Sequence, residues 1–179
     1  MIKPDYQMSL IRIHPELKSV RIGFTRLMEA GEDKSKKAKY AITNDDRPHK
    51  DFVNAIKKLR KFALELLEID VDAKSIGDWT VTEVHLSGNV VLRQSRAQLR
   101  LAKSVERTGK VAELTKTPQV TMYPQNEDAA PYENAEVMSK QIEVVIDEAF
   151  AYLNGKYEGD PKGQLPLFSV ENIETNFHK

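Results

Sequence analysis

Glu83 and His85 stand two residues apart in a strand-like run, which puts a carboxylate and an imidazole on one side of it. Such a pair can serve as general acid and base, and it is equally what the open face of a sheet carries. His49 lies beside Asp45, Asp46 and Asp51 at the start of a predicted helix. That grouping reads as a carboxylate–imidazole cluster or as a capping turn with a surface histidine. The four histidines, His14, His49, His85 and His178, never adopt helical metal-ligand spacing. The chain has no cysteine, which excludes disulfides, a thiol nucleophile and cysteine-held zinc or iron–sulfur centres. Its eight glycines form no phosphate-cradling loop, and Ser87-Gly88-Asn89 is not a nucleophile elbow. No catalytic residue, metal ligand or cofactor is assigned, and a non-enzymatic role is expected, with a nuclease or other hydrolase as the rival.

Charge is more informative than motif. The formal net charge is zero, yet residues 90–116 carry seven Lys/Arg against two Asp/Glu, and residues 117–179 carry four against eleven. Residues 1–61 are basic too, with fifteen against eight. Arg93, Arg96, Arg100, Lys103, Arg107 and Lys110 concentrate on what reads as a hairpin and are the candidate nucleic-acid contacts. In an ideal strand Arg96, Gln98 and Arg100 share one side, and Ala97, Leu99 and Leu101 the other. Tyr6, Phe24, Tyr40, Trp79 and Tyr123 lie in or beside strands, where they would stack bases or fill a core. Lys57, Lys58, Arg60 and Lys61 lie on an amphipathic helix, where they could face nucleic acid or, as is commoner, form its solvated face.

The elements that would position these groups follow from apolar spacing. Three strands are predicted first: Tyr6 to Ile13, Ser19 to Met28, and Ala38 to Thr43, with a polar hairpin loop before the third. In the first, Met8, Leu10 and Arg12 oppose Ser9, Ile11 and Ile13; in the second, Val20, Ile22 and Phe24 share a side. Asn44 to Pro48 carries helix-start chemistry, and a helix follows with Phe52, Ala55, Ile56, Leu59, Ala63, Leu66 and Leu67 as its apolar stripe. A strand from Trp79 to Leu86 precedes a turn at Ser87-Gly88-Asn89; Val90 to Leu101 reads as one long strand or two shorter ones, Lys110 to Thr115 as a short strand, and residues 119–136 as loop. The last helix starts near Asn134 or Ser139 and ends near Asn154, with Gly155 just past its end. The fold class is therefore α+β. A largely antiparallel sheet of about five to six strands carries two main helices on one face, in the order βββαβββα. Residues 1–156 form a single domain and residues 157–179 a flexible acidic and polar tail.

There is no run of about 18 apolar residues, so no membrane span is expected. The start of the chain lacks an apolar leader, and a cytoplasmic setting fits. In the tail, Gln164-Leu165-Pro166-Leu167-Phe168 places three large apolar groups on a segment that cannot bury them itself. They either fold back on the body or await a partner.

This pentapeptide resembles the peptide by which bacterial DNA replication and repair proteins bind the sliding clamp, Gln-Leu-(Ser or Asp)-Leu-Phe. The resemblance implies that Gln164 supplies amide hydrogen bonds and that Leu165, Leu167 and Phe168 are buried anchors. Pro166 departs from the usual small polar residue. The body more loosely resembles small phage and prophage proteins of unknown function. It shares their strand set, the turn and helix of Arg47-Pro48-His49-Lys50-Asp51-Phe52, and a final helix ending Glu148-Ala149-Phe150-Ala151-Tyr152-Leu153-Asn154-Gly155-Lys156. Together these imply a phage DNA replication or recombination accessory in a bacterial cell. Its partners would be the sliding clamp and DNA, single-stranded DNA included, with homo-oligomers open. The alternative is a phage inhibitor or decoy that binds a host defence or replication factor without touching DNA.

Overall fold

Strand β1, Tyr6–Ile13, alternates as a half-buried strand must, except at one place. Met8, Ile11 and Ile13 are buried, so the period slips between Met8 and Leu10, where the pairing with the next strand also slips. Ser9 is the extra residue of a β-bulge. The bulge corrects the expected grouping: Leu10 and Arg12 do share a side, but Met8 turns to the core with Ile11 and Ile13. The computed structural model describes residues 6–14, 17–26, 39–72, 75–89, 94–105, 111–122 and 132–158.

β2, Val20–Arg26, and β3, Lys39–Asn44, continue an antiparallel meander from β1. Two helices follow, α1 at Lys50–Lys58 and α2 at Arg60–Leu66. Leu59 between them keeps helical dihedrals, and its N–H bonds back to the Ile56 carbonyl, so the pair is one helix with a single tightened step. His49 is its N-cap: Nδ1 lies 3.3 Å from the Asp51 amide and 3.1 Å from an Asp51 carboxylate oxygen. The Asn44 side chain accepts from the Asp46 amide in the preceding turn. Of the two readings of the His49 cluster, the capping turn is the one observed.

A 3₁₀ turn, Ser75–Asp78, leads into β4, Trp79–Asn89, which pairs with β5, Gln94–Ser104. The turn expected at Ser87-Gly88-Asn89 is instead the end of β4, paired residue for residue with Arg96, Ser95 and Gln94. Gly88 adopts a left-handed φ of 87°, which a glycine tolerates without side-chain strain, and so the ladder runs on through turn-forming residue types. β6, Val111–Lys116, and the two-residue β7, Val120–Thr121, both pair with β5. β7 lies where loop was expected. The long helix α3, Ala135–Leu153, is the last of the described elements, and Gly155 with φ of 98° closes it as expected.

The sheet order is β3-β2-β1-β4-β5-β6, with β7 beside β5, and every pairing is antiparallel. α1, α2 and α3 pack on one face of it. The α1–α2 stripe of Phe52, Ile56, Leu59 and Ala63 meets Met138, Ile142, Val145 and Ala149 of α3 above a floor of Ile11, Ile22, Val84, Leu99 and Leu101. All of these side chains are buried. Fully burying each large one stabilises the fold by roughly 1.5–3 kcal/mol, which sets the helices firmly on this face. Tyr157 makes a backbone bridge with Pro48 and stacks edge-on against Tyr152, and Glu158 pairs with Arg47. No helix is long and apolar enough to cross a membrane among the described residues.

Candidate nucleic-acid interface

The face of the sheet away from the helices carries no packed element among the described residues. Register decides what stands on it. Across the strands, Thr43 of β3 opposes Arg21 of β2, Arg21 opposes Arg12 of β1, and Arg12 opposes Glu83 of β4. Glu83 in turn opposes Arg100 of β5, and Arg100 opposes Lys116 of β6. One rank thus crosses all six strands with four cations and one carboxylate. At roughly 4.8 Å per strand, the span from Arg21 to Lys116 is about 19 Å.

Two bulges put this rank where it is. In β4, Trp79 and Val81 face the helices, so strict alternation would send Glu83 inward as well. The register slips at Thr82, which lets Glu83 turn outward and returns Val84 and Leu86 to the core. The bulge at Ser9 does the same for Arg12. The Thr82 hydroxyl donates to the Arg100 carbonyl and so has a partner of its own.

Glu83 is the pivot. Its Oε2 accepts from Arg12 Nε at 2.7 Å, stands 2.7 Å from Arg12 Nη2, and lies 3.4 Å from Arg100 Nη1. The carboxylate is 10% exposed, against 28% for Arg100 and 44% for Arg12. Charge is therefore tied down at its base while both guanidiniums remain open to solvent. Glu83 is thereby engaged as an arginine acceptor, so it does not pair with the exposed His85 as acid and base. Arg21 has no ion-pair partner among the described residues.

Of the six cations expected on the hairpin, Arg96 and Arg100 lie on this open face, with Gln98 between them held by the Thr117 carbonyl at 2.9 Å. Lys103 is on the helix-bearing side, its ammonium 5.2 Å from the Trp79 ring centroid. Arg93, Arg107 and Lys110 lie outside the described residues, as do Gln164, Leu165, Leu167 and Phe168. Arg12, Arg21 and Lys116 were missed by the sequence reading. Their polar positions in alternating strands are visible in the sequence; their meeting is set by strand register. Among the aromatics, Trp79 and Phe24 are buried, and Tyr6 and Tyr40 pack against the core. Tyr123 lies outside the described residues.

A second basic region lines a cleft of about 750 Å³ between α1–α2 and α3, with Lys57, Lys58, Arg60 and Lys61 on one wall. Here two of the four cations have local work, while Lys57 and Lys58 have no ion-pair partner among the described residues. Arg60 donates to the Trp79 carbonyl at 3.1 Å, and the Lys61 ammonium lies 4.5 Å from the Phe62 ring centroid. Asp51 and Glu148 also line the cleft, and Lys156 bridges them at 3.0 and 2.9 Å. Those bonds, the one to Glu148 foremost, hold the Lys156 ammonium above its ordinary pKa, and the bond to Lys156 holds Asp51 below its own.

Among the described residues no three His, Asp or Glu side chains gather as a metal site. No protein-family model, no curated protein and no solved structure matches the chain.

Proposed function

We propose that the protein is a non-enzymatic DNA-binding accessory that holds the phosphate backbone on its open sheet face. We further propose that its C-terminal peptide brings it to a bacterial sliding clamp. One observation carries the first part: Arg21, Arg12, Arg100 and Lys116 form a single rank on an uncovered face with one carboxylate among them. Arginine forks suit phosphate oxygens, and charge in excess of its local counter-charge is what releases counterions on binding. Aromatic rings packed into the core leave phosphate contact, not base stacking, as the means of attachment, so binding is expected to be indifferent to sequence. The second part rests on Gln164, Leu165, Leu167 and Phe168 and their resemblance to a clamp-binding peptide.

Fluorescence anisotropy with oligonucleotides across a salt series tests the face. Binding should weaken steeply with salt, and Arg12→Glu/Arg21→Glu should abolish most of it; no binding at low salt rejects the reading. A clamp pull-down with Leu167→Ala/Phe168→Ala tests the tail, and undiminished capture of that variant rejects the motif.

A further inference from the structure

Along the rank, from β2 to β6, the open face is hollowed. A recess of about 260 Å³ is lined by Arg12, Arg21, Arg100 and Glu83, with apolar Ile13 and Leu114 also on its walls. We propose that this recess is a subsite for a terminal phosphate monoester of DNA, the phosphorylated end of a strand; the inference rests on the DNA-binding reading above.

Three features favour an end phosphate over one within the chain. The first is charge. Three guanidiniums and one carboxylate leave the arginine cluster with two positive charges in excess, which match a monoester dianion better than a singly charged diester. The second is the juxtaposition of Arg12 and Arg21. Like charges directly opposite on neighbouring strands repel, and Arg21 has no counter-ion among the described residues. An anion seated between them removes that repulsion. The third is preorganisation. Oε2 of Glu83 fixes Arg12 and Arg100 through some of their N–H groups and leaves others free to donate. A monoester offers three terminal oxygens to such converging forks, whereas a diester offers two. A recess also admits an end more easily than a continuous strand, whose neighbouring nucleotides must clear the rim.

The test uses the full chain and one short oligonucleotide made in three forms: 5′-phosphorylated, 3′-phosphorylated, and with both ends hydroxyl. Anisotropy should show one phosphorylated form bound about tenfold more tightly than the hydroxyl form, an increment typical of charge-assisted hydrogen bonds. Arg21→Gln should weaken all three forms, the phosphorylated one about tenfold more than the hydroxyl form, so that the preference disappears. Equal and strong binding of all three forms overturns the subsite and leaves the DNA-binding face standing. Absence of binding by every form overturns the face, and the subsite with it. A preference that survives in Arg21→Gln also overturns the subsite, because the end is then recognised elsewhere.

Discussion

The open sheet face and the α1–α3 cleft are both rich in Lys and Arg, yet they set that charge in different surroundings. In the cleft, Arg60 donates to a backbone carbonyl, Lys61 lies against an aromatic ring, Asp51 and Glu148 stand on the same walls, and Lys57 and Lys58 have no ion-pair partner among the described residues. On the sheet face a single glutamate serves two arginines, and Arg21, opposite Arg12, has no ion-pair partner among the described residues. Basic residues are common on protein surfaces; what marks a binding face is cations whose counter-charge lies outside the fold. Exposed apolar side chains border both regions, Val137 and Val144 in the cleft and Leu114 beside the arginines, so it is the arginine register and not the apolar rim that separates them.

The sharpest way to break this contrast is to reverse charge on each side. Arg12→Glu/Arg21→Glu should weaken DNA binding about 100-fold near 0.1 M salt, while Lys57→Glu/Lys58→Glu should change it less than about threefold. Anisotropy on both variants decides, and a larger loss from the helix pair would exchange the roles of the two regions. Next comes Glu83→Gln. Losing the shared carboxylate leaves two neighbouring guanidiniums uncompensated and should cost about 2 kcal/mol, below the fully buried value because Arg12 is partly solvated. Thermal unfolding should show a drop of roughly 6 °C, while DNA affinity holds or rises.

Tyr152→Phe sharpens the contrast from the helix side. The Tyr152 hydroxyl donates to the Asp46 carbonyl at 2.7 Å, and its loss should cost about 1 kcal/mol in a denaturant melt without touching DNA affinity. Burial also raises the Tyr152 pKa above the ordinary phenol value. The stability linked to the protonated phenol is thus complete below about pH 10 and is lost as pH climbs further, so the alkaline limb of a stability–pH curve should flatten in the phenylalanine variant. The smallest effect separates two residues of one strand. Arg96→Ala should reduce the salt slope of single-strand binding by about 0.7, and Lys103→Ala, on the helix-bearing side, should leave it unchanged.

Much of the scaffold could be read before the fold was known, because burial imposes a period. β1 runs Tyr6–Ile13 as spacing predicts, and the stripes of Phe52-Ile56-Leu59 and Met138-Ile142-Val145 are those that pack. Ser9 and Thr82 could not be read, since one additional residue in a strand merely blurs its alternation. Gly88 misled for a related reason: glycine marks places where unusual backbone is permitted, and here a ladder passes through one. Arg96 and Arg100 on one side followed from spacing within a single strand. Arg12, Arg21 and Lys116 join them only through register, and residues as far apart in the chain as Arg12 and Arg100 leave no common mark in the sequence.

The paired bulges have a consequence for shape. β1 and β4 are neighbours at the middle of the sheet, and each carries its bulge close to the Arg12–Glu83 pair. A bulge bends its strand and deepens the local right-handed twist, so the surface under the arginines should be saddled where a regular sheet would be more even. Double-stranded DNA is stiff over about 150 base pairs and follows a saddle at an elastic cost that a lone, pliable polynucleotide largely escapes. Curvature by itself should therefore tilt this face toward unpaired strands.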